Sequence, residues 1–284
     1  MTHNLIFEKI PLAEVLECDR IKFNSNNHWK DNIPPIDYNK RLEDTYTHNW
    51  IDKFHSKYHR ILINNIYCIS FLKNGNRLFQ MGVEVTNLFS DEIEHVAGLF
   101  NNEYPHIFAN NNSYFVRSEN VSLKKGIHGV GPYKDFKSII ESIITCNHGH
   151  SPFDCIVDNT LVIYLLPWKE DIKDEFRIFV YKNRITAISQ QQLYKQIYTD
   201  ADEERLKNMC NIIIEAFYNE TQGKLSYMES YVYDVAVIDG NAYFIEPNPF
   251  GEQYSSGSAL FHWILDSDKL YNDENNIIYI RTTS

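Results

Sequence analysis

Three side chains that can present oxygen to a cation lie close together in the segment YVYDVAVIDGNAYFIEPNPFG: Asp234, Glu246 and Asn248. Asp239-Gly240-Asn241 separates two strand-prone runs and signals a hairpin. If the turn uses all three residues, 238 opposes 242 and 234 opposes 246, with Cβ atoms about 4.5–5.5 Å apart. Asn248 then keeps the side of Glu246 by strand alternation. A two-residue turn would instead put Asp234 and Glu246 on opposite faces. Two facing carboxylates repel unless a cation or proton lies between them. Magnesium suits such a pair, because it takes oxygen ligands and commonly combines one or two carboxylates with substrate phosphates. An ordinary ion pair for Asp234, with Pro247-Asn248-Pro249 merely ending the strand, fits the segment equally well.

A second group of residues suits phosphate. In FVRSENVSLKKGIHGVGPY, Arg117 leaves a short strand, and Lys124 and Lys125 adjoin Gly126, Gly129 and Gly131. Glycine lets backbone N–H groups approach a phosphate, and the basic side chains supply countercharge. The loop is not a Walker A motif, because Pro132-Tyr133 stands where Lys-Ser/Thr is required. Taken alone, such a loop reads better as a solvated turn. In DEFRIFV, Arg177 carries a planar fork suited to phosphate or carboxylate; a cross-strand ion pair with Glu175 or another acid is its plainer use. The run LVIYLLPW can offer backbone groups and apolar walls to an adenine ring, although most of it reads as core strand. Cys146, His148 and His150, with Cys155 nearby, hold imidazole and thiolate but not at a standard zinc spacing, so a polar loop accounts for them better. His128 in the glycine loop reads as solvated.

These groups need strands and helices to carry them. Arg60–Leu72 is expected to begin the regular structure as a strand, after an irregular stretch over residues 20–60. Ser90 is expected to cap a helix, and SYFVR from Ser113 to be a strand. Phe136, Ile139, Ile140, Ile143 and Ile144 repeat at helical spacing within Tyr133–Cys146. Leu161–Trp168 reads as a buried strand, and Phe176–Tyr181 with Arg184–Gln190 as a hairpin about Lys182-Asn183. A helix is expected over Asp202–Tyr218, followed by the hairpin of Tyr231–Ile238 and Ala242–Ile245. Strand pairs separated by helices indicate an α+β fold with antiparallel sheets.

The bulk properties set limits. The 284 residues can form one large domain or two small ones, and 43% hydrophobic with 23% charged residues is ordinary for a globular protein. A net charge of −11 argues against an extended grip on nucleic acid, which needs a basic surface. Five scattered cysteines, none in a C-x-x-C pair, suit a reducing compartment. The amino-terminal segment does not read as a signal peptide, and the longest apolar run, Leu161–Trp168, is too short to span a bilayer. A cytoplasmic protein without membrane contact is expected.

The order strand-Arg-glycine loop, helix, apolar strand, EFR strand, Asp…Glu-x-Asn resembles the ATP-grasp superfamily, and within it the cell division cycle protein 123 family. EFRIFVYKNRITAISQQQLY is similar to that family's EFR…AISQ block, and YVYDVAVIDGNAYFIEPNPFGEQYSSGSALFHW to its FD…NPFG…FTW block. The resemblance spans Ser113 to Asp266. It implies an ATP-grasp fold, with a divergent region over 1–75 and a first subdomain carrying the glycine loop over 76–165. A second subdomain, with the metal hairpin, would cover 166–284 and close with the first on a nucleotide. It further implies ATP and Mg²⁺ as cofactors. Arg117 would touch the α or β phosphate, Lys124 or Lys125 with Gly126 would cover the phosphates, and Leu165, Leu166 and Trp168 would line adenine. Arg177 would sit at the γ phosphate or the transferred group, and Asp234, Glu246 and Asn248 would hold magnesium. Two functions fit: an ATP-dependent ligase joining a carboxylate and an amine through an acyl phosphate, with Arg177 and Arg117 as its catalytic residues, or a nonenzymatic assembly chaperone. The ligase needs a small-molecule or peptide acceptor. The chaperone's partner would be the γ subunit of translation initiation factor two. Three departures stand out. The family has Asp where Glu246 stands, and neither its Trp-Pro-bearing amino-terminal motif nor a long acidic tail is found.

Overall fold

The computed structural model describes residues 3–26, 28–29, 33–147, 149, 151–156, 158–170, 172–254, 256–273 and 276–284. The strands used below are β1 (Asn4–Ile10), β2 (His59–Ile63), β3 (Tyr114–Ser118), β4 (Leu161–Pro167), β5 (Glu175–Tyr181), β6 (Arg184–Gln190), β7 (Tyr231–Ile238), β8 (Asn241–Pro249) and β9 (Ile277–Thr283). The longer helices are α1 (Ile66–Gln80), α2 (Ser90–Glu103), α3 (Phe136–Ile144) and α4 (Glu203–Ala216). The chain divides into unit 1, Met1–Thr45 with Asp171–Ser284, and unit 2, Tyr46–Glu170. Two α+β units were expected, but with boundaries at 75 and 165. The boundaries differ because β1 pairs in parallel with β9, tying the first residues of the chain to the last.

Unit 1 is built on a six-stranded sheet in the order β1-β9-β6-β5-β7-β8. The β1–β9 and β9–β6 pairings are parallel and the other three antiparallel. Helix α4 packs against β7 and β8. Beyond its last residue Phe217 stacks on Tyr233, which stacks in turn on Phe244, with centroids 6.2 and 5.8 Å apart. The opposite face of the sheet carries Phe179 and Val232, packed with Phe250, Phe261 and Trp263.

The β7–β8 hairpin departs from expectation in a way that bears on the site. Its turn uses two residues, Asp239 and Gly240, both at positive φ (50° and 73°), so that Ile238 pairs with Asn241. That is the I′-like geometry favoured by Asp-Gly, and it corrects the three-residue loop. Pairing runs regularly to Val235 opposite Phe244, and then a β-bulge leaves Ile245 without an opposite number. The extra residue reverses the sidedness of everything after it. Asp234 therefore does face Glu246, and Val232 faces Asn248.

In unit 2 the three strands run antiparallel in the order β2-β4-β3. The core is formed by Ile61, Ile63, Val116, Ile163 and Leu165 of the sheet with Ile69, Leu72, Ile93, Phe136 and Ile140 of the helices. The strand expected over Arg60–Leu72 stops at Ile63. Asn65 accepts from the backbone N–H of Tyr67 and Cys68 (2.9 and 3.3 Å) and starts α1, so the apolar residues beyond it follow helical spacing. Ser90 opens α2 as its first helical residue, while Phe89 holds the cap position.

The parallel end of the sheet gives one pH-dependent term. Glu8 on β1 accepts from Arg281 Nε and Lys269 Nζ at 2.6 and 2.5 Å. Burial pushes the Glu8 carboxyl up, but those two bonds and charges outweigh it and hold it below its ordinary 4.5. A depressed carboxyl stabilises the fold above its ordinary pKa and loses that contribution as pH falls below it. Urea unfolding followed from about pH 6 down to about pH 3 is therefore expected to show stability falling more steeply in the native chain than in Glu8→Gln.

Candidate functional site

The register of unit 1 places six polar positions in one line across the sheet: Glu8 opposite Arg281, Arg281 opposite Ser189, Ser189 opposite Arg177, Arg177 opposite Asp234, and Asp234 opposite Glu246. Opposed residues share a face, so this row lies on the side away from α4. At its centre Arg177 and Asp234 form a bidentate pair, Nε to Oδ1 at 2.8 Å and Nη2 to Oδ2 at 2.7 Å. Asp234 is 1% exposed and Arg177 9%. The third guanidinium nitrogen, Nη1, donates to the carbonyl of Gly257 at 2.6 Å. Burial works against the charge on Arg177. Asp234, followed by Glu246 and Glu175, outweighs that effect and raises its pKa further.

The cation that the facing carboxylates demand is therefore at least partly Arg177 itself. Counting Arg177 against Asp234 and Glu246 leaves one formal negative charge, so a divalent ion remains electrostatically acceptable there. The donor set fits magnesium with a changed emphasis. Both Asp234 oxygens are engaged by Arg177, and Gln191 Nε2 reaches Oδ2 at 3.4 Å. Glu246 is half-buried, next along the row. Asn248 has a buried amide nitrogen, Nδ2, with no hydrogen-bond partner among the described residues. Turning that amide over presents its oxygen to the same place. Glu246 and Asn248 could offer oxygen to a cation there, and Arg177 fixes the direction of Asp234. Sequence reasoning missed Gln191 and Gly257. A backbone carbonyl has no signature in the sequence, and Gln191 lies just beyond the strand that brings it near.

The phosphate candidates lie in unit 2. Arg117 is 2% exposed, donates from Nε to Thr47 Oγ1 at 2.9 Å and stacks over Trp50 at 4.7 Å. Thr47 Oγ1 in turn donates to the Ser118 carbonyl at 2.7 Å. Lys124 and Lys125 are exposed and form no salt bridge with another described residue. The glycine loop is pinned to α3: the Ile127 and His128 N–H groups donate to Thr145 Oγ1 and Ser142 Oγ at 2.9 and 3.4 Å. His128 is exposed, as expected, and its ring Nε2 lies 2.5 Å from Glu141 Oε2. At Gly126 a Cβ would fall 2.5 Å from the Ser142 carbonyl oxygen. The glycine there answers to helix packing as well as to any ligand. Gly126→Ala is expected to lower stability by about 1–3 kcal/mol, read by chemical denaturation, because backbone must move to admit the methyl group.

Leu165 lies in the unit 2 core and its backbone is paired with both β2 and β3, so its side chain and main chain are already engaged. Leu166 is buried on β4, and beyond it Trp168 is half-buried, with its N–H donating to Ser113 at 2.9 Å. Gly131, at φ 110°, comes close enough that a Cβ would lie 3.3 Å from the Trp168 ring. The structure thus brings the end of the glycine loop to Trp168, two features that sequence placed 37 residues apart. His148 and His150 lie outside the described residues. Among those described, no group of three or more His, Cys, Asp or Glu is placed to hold a metal. No helix among them is long and apolar enough to cross a membrane.

Comparison with known proteins finds similarity over part of the chain. The D123 family model matches residues 150–282, which include Arg177, Asp234, Glu246 and Asn248. Over those residues, a little under half of the chain, the sequence is similar to the D123 family. A curated relative from Candida albicans, named translation initiation factor eIF2 assembly protein, is 31% identical over 121 residues, 42% of this chain. That match spans about a third, 34%, of the relative's own length. Cdc123 from Schizosaccharomyces pombe is similar in fold, with a TM-score of 0.57 at 17% identity, covering 86% of this chain and 97% of that one. D-alanine-D-alanine ligase from Helicobacter pylori scores 0.37 at 16% identity, over 85% of this chain and 59% of that one. The α+β class expected from sequence is the class found, in a fold shared with Cdc123. The D123 region begins in unit 2 at residue 150 and carries the whole polar row of unit 1 except Glu8.

Proposed function

We propose that this chain is an assembly protein of the eIF2 type, nonenzymatic and cytoplasmic, that binds the γ subunit of translation initiation factor two and carries MgATP as a bound ligand. The observation that supports it most is the coincidence of the D123 match with the residues of the row, beside a relative named for eIF2 assembly. In this reading Glu246 and Asn248 hold the magnesium, with Asp234 directed toward it by Arg177. The ion, when bound, supplies positive charge to the nucleotide's phosphates.

The ligase reading has less behind it. Its key group, Arg177, would have to meet a transferred phosphoryl, yet Nε, Nη1 and Nη2 all donate to Asp234 or Gly257. Electrostatic catalysis needs donors aimed where charge develops, and these are aimed at a resident carboxylate.

The test mixes the purified chain with purified γ subunit, with and without MgATP, and follows complex formation by size exclusion and ADP by chromatography. A stable complex without ADP is expected. No complex, together with ADP formed on adding carboxylate and amine acceptors, would overturn the proposal in favour of the ligase.

A further inference from the structure

The polar row continues beyond Arg177 toward β1, and its far end repeats the near one. Arg281 forms a bidentate pair with Asp266, Nη1 to Oδ2 and Nη2 to Oδ1, both at 2.7 Å. It also donates from Nη1 to the Leu260 carbonyl at 3.1 Å and from Nε to Glu8 at 2.6 Å. Each arginine thus holds an aspartate and one carbonyl of the same loop, Gly257 for Arg177 and Leu260 for Arg281. Between them on the sheet stands Ser189, 0% exposed, whose Oγ accepts from the Leu260 N–H at 3.0 Å. The ring of Phe261, the next residue, lies 4.3 Å from the Arg281 guanidinium carbon.

We infer that Ser189 and Arg281 are positioning residues for the Arg177–Asp234 pair, acting through the loop at 257–260. This rests on the magnesium and nucleotide reading above. The physical reason lies in the guanidinium plane. Nε and Nη2 meet Asp234 squarely while Nη1 is held by Gly257, so the carbonyl sets the rotation of the whole fork. Three residues on, Ser189 and Arg281 fix the same loop at both the N–H and the carbonyl of Leu260. If that anchor is lost, Gly257 no longer defines the fork. Asp234 then loses the direction it needs beside Glu246.

The test uses the full chain with Ser189→Ala, Ser189→Thr and Arg281→Lys, and has two readouts. Amide exchange at Leu260 reports the anchor itself, independently of any ligand. Calorimetric titration of ATP at stepped magnesium concentrations, well below the unfolding temperature, reports its consequence. Ser189→Ala is expected to speed Leu260 exchange and to raise the magnesium concentration for half-saturation roughly tenfold, in line with losing an outer partner of a metal ligand. Arg281→Lys should do the same, and Ser189→Thr, which keeps the hydroxyl, should behave as the native chain. A purely structural role would lower the melting temperature and leave magnesium half-saturation unchanged, and that result overturns the inference alone. No magnesium-dependent ATP binding by the native chain overturns the nucleotide reading and this inference with it.

Discussion

Replacing Asp234 by Ala is expected to cost about 3–5 kcal/mol of stability, the range for removing one partner of a buried ion pair. Arg177 would be left 9% exposed, with its charge still offset only at a distance by Glu246 and Glu175. Guanidinium cannot shed its proton to escape, as a buried lysine would. The Gly257 carbonyl would remain as an acceptor, but a carbonyl dipole does not neutralise a cation. A double replacement, Arg177→Met with Asp234→Leu, should recover most of the loss, because an apolar pair of similar volume removes both desolvation terms together. Urea unfolding of Arg177→Met, Asp234→Leu and the double variant closes the cycle. Single losses under about 1 kcal/mol, adding up in the double variant, would mean that the pair is not coupled as its geometry demands.

Glu246→Ala is expected to act on ligand rather than on fold. Its side chain is half-buried on the outermost strand of the sheet, so its removal should change stability by less than about 1 kcal/mol. Magnesium-dependent ATP affinity should fall roughly 100-fold, equivalent to about 3 kcal/mol, the upper end for a lost bond to a charged partner. Asn248→Ala should lose less, because a neutral amide contributes less to a divalent cation than a carboxylate does. The contrast with Asp234 is what makes the two predictions informative together: one residue supports the fold and directs, the other binds.

Much of this was legible in the sequence, though not always for the stated reason. The pairing of Asp234 with Glu246 follows from a three-residue turn by counting. The chain reaches the same pairing with a two-residue turn and a bulge at Ile245. Nothing in Phe244-Ile245 marks a bulge, since no glycine is needed there. The Arg177–Asp234 pair appeared only as two separate alternatives, an ion pair for each residue. Joining them requires the β5–β7 register, set by strands 50 residues apart in sequence. β1 and β9 were not read at all. The parallel pairing between them links the two ends of the chain, so no local pattern announces it. Arg117 was recognised as basic and strand-borne. Its burial against Thr47 and Trp50 was hidden, because residues 20–60 carry no period that would place those two side chains.

The most direct measurement is calorimetric titration of ATP, with and without magnesium, into the native chain and Glu246→Ala. The account predicts magnesium-dependent binding by the native chain and its near loss in the variant, with both proteins equally folded by circular dichroism. Binding that ignores magnesium, or that survives unchanged in Glu246→Ala, would contradict the assignment of the row's outer end to the metal. An absence of ATP binding in the native chain would contradict the nucleotide reading as a whole.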